Sequence, residues 1–124
     1  MVDMRLELVI IPVSDVDRAK AFYAEKAGFH ADHDQTVSEE IRFVQLTPPG
    51  SACSIAIGKG IVGSEPGSVR GLQMVVADIE AAHAELVARG AEVSDIEDLA
   101  WGRFVYLADP DGNKWALQQL PPRG

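Results

Sequence analysis

Val13-Ser14-Asp15-Val16-Asp17-Arg18-Ala19 and Val76-Ala77-Asp78-Ile79-Glu80-Ala81-Ala82 carry one pattern at an offset of 63 residues in a chain of 124. An apolar, strand-like run precedes each copy (Leu6–Val13, Leu72–Val76). An amphipathic helical run follows, and a glycine stands near its end (Gly28, Gly90). Self-similarity at half the chain length means one supersecondary unit used twice. The chain reads as a single α+β domain over residues 1–124: module one at about 5–58, a linker at about 58–69 and module two at about 70–120. Two such modules facing each other across a pseudo-twofold axis would build a pocket from their sheets, so function is sought on the strand faces.

Working outward, Asp15 and Asp78 stand where helix N-caps belong. Val16, Ala19, Phe22 and Tyr23 form the apolar stripe of the first helix, and Ile79, Ala82, Leu86 and Val87 that of the second. Strands are expected near Phe29–Thr36, Ile41–Thr47 and Ala52–Ile57, the last two flanking Pro48-Pro49-Gly50. Gly58–Val69, with four glycines and Pro66, is the linker-like stretch. Module two repeats the order with strands at Gly71–Val76, Ala91–Ser94, Arg103–Ala108 and Lys114–Leu120. Asp109-Pro110-Asp111-Gly112 has the residues of a type I turn. The pattern is βαβββ twice, with a frayed tail at Pro121–Gly124.

A net charge of −8 and the lack of any Lys/Arg cluster speak against nucleic acid and against anionic membrane surfaces as partners. The single cysteine, Cys53, cannot form an internal disulfide and is expected as a buried thiol in an apolar strand. No signal peptide is read at the N-terminus, and Leu8–Val13 is too short to span a bilayer. A cytoplasmic location is the expectation.

The opening strand, Val13–Ala19, Phe22-Tyr23 and Gly28-Phe29, and the ending Trp101-Gly102 with Asp109-Pro110-Asp111-Gly112-Asn113, resemble the vicinal oxygen chelate superfamily of glyoxalase I, bleomycin-resistance proteins and extradiol dioxygenases. The resemblance covers nearly the whole chain. It implies paired βαβββ modules forming an incomplete barrel around a cleft, helices outside, and a homodimer. In metal-dependent members it implies four ligands, two per module. Here those positions fall at Leu8, at Ala56 or Ser54, at Gly71 and at Ala116. Leu, Ala and Gly side chains offer no lone pair, and a neutral Ser alone is a poor ligand. No metal at these positions and no other cofactor are therefore expected, which speaks against glyoxalase and ring-cleaving chemistry.

Strand alternation divides the side chains. Val9, Ile11 and Val13, then Val44, Leu46, Cys53, Ile55 and Ile57, are expected to meet the helices in module one; Leu72, Met74, Val76, Val105, Leu107, Trp115 and Leu117 do so in module two. The opposite faces would line the cleft with Leu8, Ile10, Phe43, Gln45, Ser54 and Ala56 from module one. Module two would add Gly71, Gln73, Val75, Phe104, Tyr106, Ala116 and Gln118, with Trp101 either at the mouth or wedged under a loop. Such a lining suits a neutral or amphipathic organic molecule.

His30 and His33, three apart in a strand, are expected on opposite faces and solvated; His83 reads as a partly exposed helix residue and Glu39-Glu40 as a hairpin tip. Three functions follow in order. The first is a metal-free small-molecule-binding protein. The second is an isomerase or lyase without the family metal, for which Tyr106 is the weak catalytic candidate. The third is a metalloenzyme with shifted ligands from His30, Asp32, His33 and Asp34.

Overall fold

A computed structural model describes residues 1–122. Module one comprises β1 (Leu8–Ile10), α1 (Val16–Ala21), a π-helical turn (Phe22–Lys26), β2 (His30–Thr36), β3 (Arg42–Thr47) and β4 (Ser54–Lys59). Module two comprises β5 (Leu72–Val75), α2 (Ile79–Ala88), β6 (Glu97–Leu99), β7 (Gly102–Ala108) and β8 (Lys114–Gln119). The sheets have the same topology, β1-β4-β3-β2 and β5-β8-β7-β6, with one parallel pair each, β1/β4 and β5/β8. The fold is α+β, two similar four-stranded modules whose sheets do not close into a barrel.

Both helices start as their caps dictate. The Asp15 carboxylate accepts from Arg18 N at 3.1 Å, and Asp78 accepts from Glu80 N and Ala81 N at 3.1 Å. Each pairing satisfies amides that the first helical turn leaves open. Gly28 and Gly90 end the helical segments with φ of 79° and 84°.

The helix-facing sets of both sheets enter one hydrophobic core. Ile11, Val44, Leu46, Ile55 and Ile57 join Val105, Leu107, Trp115 and Leu117, with Ala19, Tyr23, Ile79 and Leu86 from the helical segments among them. The helices thus lie between the two sheets, and the remaining strand faces turn outward on opposite sides of the chain.

A buried polar network locks the modules together. Tyr23 Oη donates to Asp109 Oδ2 at 2.7 Å and accepts from Trp115 Nε1 at 3.0 Å. Asp109, 5% exposed, takes three more donors: Asn113 Nδ2, Asn113 N and Asp111 N, at 2.8, 2.9 and 3.0 Å. Asn113 Nδ2 also reaches Pro12 O at 2.9 Å, and Asn113 Oδ1 receives Val69 N at 3.0 Å. The Asp-Pro-Asp-Gly-Asn turn, closed by Gly112 N to Asp109 O at 2.9 Å, is thereby the joint between modules. Burial, then the Asp109 charge and hydrogen bond, push the Tyr23 hydroxyl well above its ordinary value of 10.0.

Several expectations need correction. β1 is shorter than Leu6–Val13 because Pro12 has no N–H to continue the ladder, and Leu6 is exposed. Cys53 precedes β4 and is half-buried rather than buried in it. Val87 is exposed on α2. Ala91–Ser94 is not a strand; β6 forms at Glu97–Leu99 instead. The reason is Ser94, whose hydroxyl takes Tyr106 N at 2.8 Å in place of a backbone carbonyl, so the ladder resumes at Glu97 opposite Phe104. The linker is also tied down. Gly67 is buried with φ of 80°, and a Cβ there would stand 2.1 Å from Asp111 O. Arg123 and Gly124 of the expected frayed tail lie outside the described residues.

Candidate functional site

Each module's site face is built by register. In module one Leu8 pairs with Ser54 and Ile10 with Ala56. Gln45 pairs with Ala56 and Phe43 with Gly58, so Phe43, Gln45 and Thr47 share the outer face with Ser54 and Ala56. In module two Gln73 and Tyr106 flank Ala116, and Gln118 lies between Val75 and Phe104. The Phe104 and Tyr106 rings are parallel, 6.0 Å apart with 3° between planes. Gly71 stands exposed just before β5. The Trp101 indole is 62% exposed at the β6–β7 turn, so it does not wedge under a loop.

Each half-lining is therefore assembled as alternation predicts, but one chain does not bring the two halves together, because the helical layer separates them. A cavity of about 460 Å³ lies elsewhere, between the Pro48–Ser51 loop and α2, and takes in only Gln73 and Val75 from the expected lining.

The main surprise is β2. Its register to β3 shifts between Ala31 and His33, leaving Asp32 as an unpaired bulge residue. His30 pairs with Thr47 and His33 with Gln45, so both histidines stand on the outer face of module one. Strict alternation had separated them. A bulge inserts one residue without consuming a pairing position, and that restores the common face. Asp32 reaches the same face: its carboxylate receives Thr47 Oγ1 and lies 2.9 Å from His30 Nδ1. Thr47 Oγ1 is in turn 2.6 Å from Ser54 Oγ. His30, Asp32, Thr47 and Ser54 thus form a hydrogen-bonded row that sequence inspection missed. The run His30–Thr36 has no apolar alternation to reveal its register.

Asp34 is not part of that face. It pairs opposite inward-facing Val44, where Arg42 Nη2 and Lys20 Nζ each approach its carboxylate at 2.8 Å. Those two cations hold it well below the usual carboxylate range. Of the four residues considered as shifted ligands, only His30, Asp32 and His33 share a face. Among the described residues, no three His, Cys, Asp or Glu side chains are grouped as a metal set. At the positions the superfamily uses for metal, Leu8, Ala56, Gly71 and Ala116 present no donor atom, and Ser54 presents one neutral hydroxyl. These residues do not fit a divalent ion.

On module two a second row crosses the face. Gln73 Nε2 donates to Gln118 Oε1 at 2.5 Å, and Gln118 Nε2 donates to Trp101 O at 2.7 Å. Gly102 permits this approach: with φ of 145°, it leaves room where a Cβ would stand 3.1 Å from the Gln118 side chain. Burial, then the charge of nearby Glu97, push the Tyr106 hydroxyl above its ordinary value of 10.0, so it stays neutral at pH 7.

The sequence pattern described as Glyoxalase/Bleomycin resistance protein/Dioxygenase superfamily matches residues 5–117. The crystal structure of TnmS3, an antibiotic binding protein from Streptomyces sp. CB03234, is 36% identical, with a TM-score of 0.86 over 98% of this chain and 99% of that one. A member of the same superfamily from Sphaerobacter thermophilus DSM 20745 is 30% identical, with a TM-score of 0.80 over 94% of this chain and 98% of that one. The uncharacterized protein YetH of Bacillus subtilis (strain 168) is 26% identical over 113 residues, 90% of this chain and 94% of YetH. No helix among the described residues is long and apolar enough to cross a membrane.

Proposed function

This chain belongs to the Glyoxalase/Bleomycin resistance protein/Dioxygenase superfamily, and from that premise we propose that it is a metal-independent binding protein for a small, neutral or amphipathic organic molecule. The observation that carries this is the make-up of the two outer faces. They offer flat apolar surface from Phe43 and from Tyr106, which stacks on the buried Phe104 ring, and direction from amides and hydroxyls. At the positions that the resemblance assigns to metal ligands they hold no metal-binding atom beyond the one neutral hydroxyl of Ser54. A mostly apolar lining with a few oriented polar groups is what a small organic ligand requires. The likeness to TnmS3, itself an antibiotic binding protein, supports a small-molecule ligand. Tyr106 serves as a hydrogen-bonding wall: its raised pKa makes it a poor proton donor or acceptor for catalysis at neutral pH.

The two half-linings point away from each other, so the cleft needs a second copy. In the proposed homodimer the outer face of module one in one protomer meets that of module two in its partner, which makes two clefts and covers the bare edges of β1 and β5. The single cysteine goes with a reducing, cytoplasmic setting.

Light scattering tests the assembly: the expected mass is twice the 13.4 kDa of the chain, and a stable monomer at micromolar concentration overturns it. Ligand linkage tests the cleft. Excess 2-naphthol should raise the melting temperature by mass action, and Ser54→Trp, which fills the floor of module one's face, should abolish the rise while far-UV circular dichroism stays native. A rise that survives Ser54→Trp places binding elsewhere, such as the cavity beside α2.

A further inference from the structure

The polarity of the ligand can be worked out from which atoms are able to donate. The row on module one ends in Asp32, whose carboxylate the Thr47 and His30 hydrogen bonds hold below the usual range. Ionised at pH 7, it can only accept. Thr47 has one hydroxyl proton, and Asp32 takes it. At 2.6 Å from Ser54 Oγ, Thr47 Oγ1 must then be the acceptor and Ser54 the donor. Ser54 spends its only proton inside the row. It sits on the central strand β4 at 6% exposure, at the floor of the face, with lone pairs alone to offer. His30 Nδ1, facing the same carboxylate, carries the proton of that contact.

The row on module two obeys the same logic from a different anchor. Trp101 O is a backbone carbonyl and can only accept, so the Gln118 amide must direct Nε2 toward it. Gln118 Oε1 is thereby turned to Gln73 and takes Gln73 Nε2 at 2.5 Å. Exposed Gln73 is left with its carbonyl oxygen and its second N–H both unpaired among the described residues, so it can accept or donate. Gly102 keeps the Gln118 path open. The row on module two therefore ends in a group of either polarity, whereas the row on module one, anchored on a carboxylate unable to donate, ends in a hydroxyl with lone pairs alone.

We propose that the cleft selects an aromatic or amphipathic molecule bearing O–H or N–H donors, such as a phenol, over the same skeleton capped as an ether, with Ser54 as the accepting atom and Asp32 and Thr47 as the residues that set its polarity. This rests on the metal-independent binding function proposed above and adds the chemistry of the ligand to it. An ether oxygen placed against Ser54 Oγ meets lone pair against lone pair, and both atoms lose water without compensation.

Equilibrium dialysis at pH 7 with 2-naphthol and 2-methoxynaphthalene tests the idea, since the two share one ring system and differ by the donor. The native protein should bind the naphthol about tenfold more tightly or better. Thr47→Val keeps the shape of the side chain but frees the Ser54 proton, whereas Gln118→Leu alters module two, where Gln73 already offers both polarities, and serves as the control. Thr47→Val should move the affinity ratio toward one and Gln118→Leu should leave it, while far-UV circular dichroism and dimer mass stay native. A role in folding alone would lower both affinities together and leave the ratio unchanged. Equal binding of both probes to the native protein, or a ratio untouched by Thr47→Val, overturns donor selection and leaves the aromatic cleft standing. Failure of both probes to bind overturns the aromatic cleft itself, and donor selection with it.

Discussion

Tyr23→Phe is the sharpest probe of how this fold is held together. The substitution keeps the ring that packs 5.5 Å from Phe29 and 5.8 Å from Trp115, so little apolar burial is lost. It removes one oxygen with two jobs. Trp115 Nε1, on a residue 5% exposed, loses its acceptor, and an unsatisfied buried donor costs about 1–3 kcal/mol. The Asp109 carboxylate loses its shortest donor of four, and a hydrogen bond to a charged group contributes about 1.5–3 kcal/mol. The two losses share an atom and are not independent, so about 3–5 kcal/mol is expected in total, a large part of a native stability of roughly 5–15 kcal/mol. For a chain of 124 residues that lowers the melting temperature by about 10–20 °C. Urea unfolding followed by far-UV circular dichroism measures it, at one protomer concentration because the proposed dimerisation would shift apparent stability. Trp115→Phe in the Tyr23→Phe background removes the orphaned N–H, so the double variant should lose clearly less than the sum of the singles. A Tyr23→Phe loss under about 1 kcal/mol, or strict additivity in the cycle, refutes the network as the joint between modules.

The same hydroxyl gives an alkaline limb. Its folded pKa lies above the unfolded value of 10.0, so its contribution is complete below pH 10 and declines above it, at up to about 1.4 kcal/mol per pH unit; Tyr23→Phe should flatten that limb in pH-dependent urea titrations. Asp34→Asn should cost about 1 kcal/mol at pH 7 by releasing Arg42 and Lys20, and the difference from the native protein should shrink as pH falls through and below the usual carboxylate range, where the native Asp34 finally protonates. Gly67→Ala should cost about 2 kcal/mol or more, because a Cβ meets Asp111 O at 2.1 Å on a backbone of φ 80°; a melting temperature within 2–3 °C of native (about 1 kcal/mol or less) would show that the linker relaxes freely.

What could be seen in the sequence followed where side-chain pattern and local chemistry agreed. The caps at Asp15 and Asp78 and the stops at Gly28 and Gly90 are local, so the repeat alone located both helices. β3, β4, β7 and β8 carry large aliphatic or aromatic residues at every second position (Val44 and Leu46, Ile55 and Ile57, Val105 and Leu107, Trp115 and Leu117), so their inner faces could be listed residue by residue. β2 could not be treated this way. Its polar run carries no hydrophobic anchor, and a bulge is invisible to a period of two. β6 was displaced because one serine hydroxyl competed with the backbone ladder. The direction of docking was also hidden. Alternation tells which side chains share a face, but whether two such faces meet in one chain depends on contacts far apart in sequence. Here those are Tyr23 to Asp109 and Pro12 to Asn113, 86 and 101 residues apart. Face membership on β1, β3, β4, β5, β7 and β8 follows the alternation, but β2's contribution does not, and the separation of the two outer faces by the helical layer came from these contacts.

Asp32 is spare as far as the β2–β3 ladder is concerned, since Ala31 still faces Leu46 and His33 still faces Gln45 with or without it. Deleting codon 32 would leave every other β2 side chain on its present face and remove only the carboxylate. Inserting an acidic codon at the same point in a gene without the bulge would do the reverse. The polarity of Ser54 can therefore be gained or lost by a single three-nucleotide indel, a step that substitution-based comparison of homologous genes does not register. Gene relatives that differ by one residue at this point should differ in which ligands they accept, even where every aligned cleft position is identical.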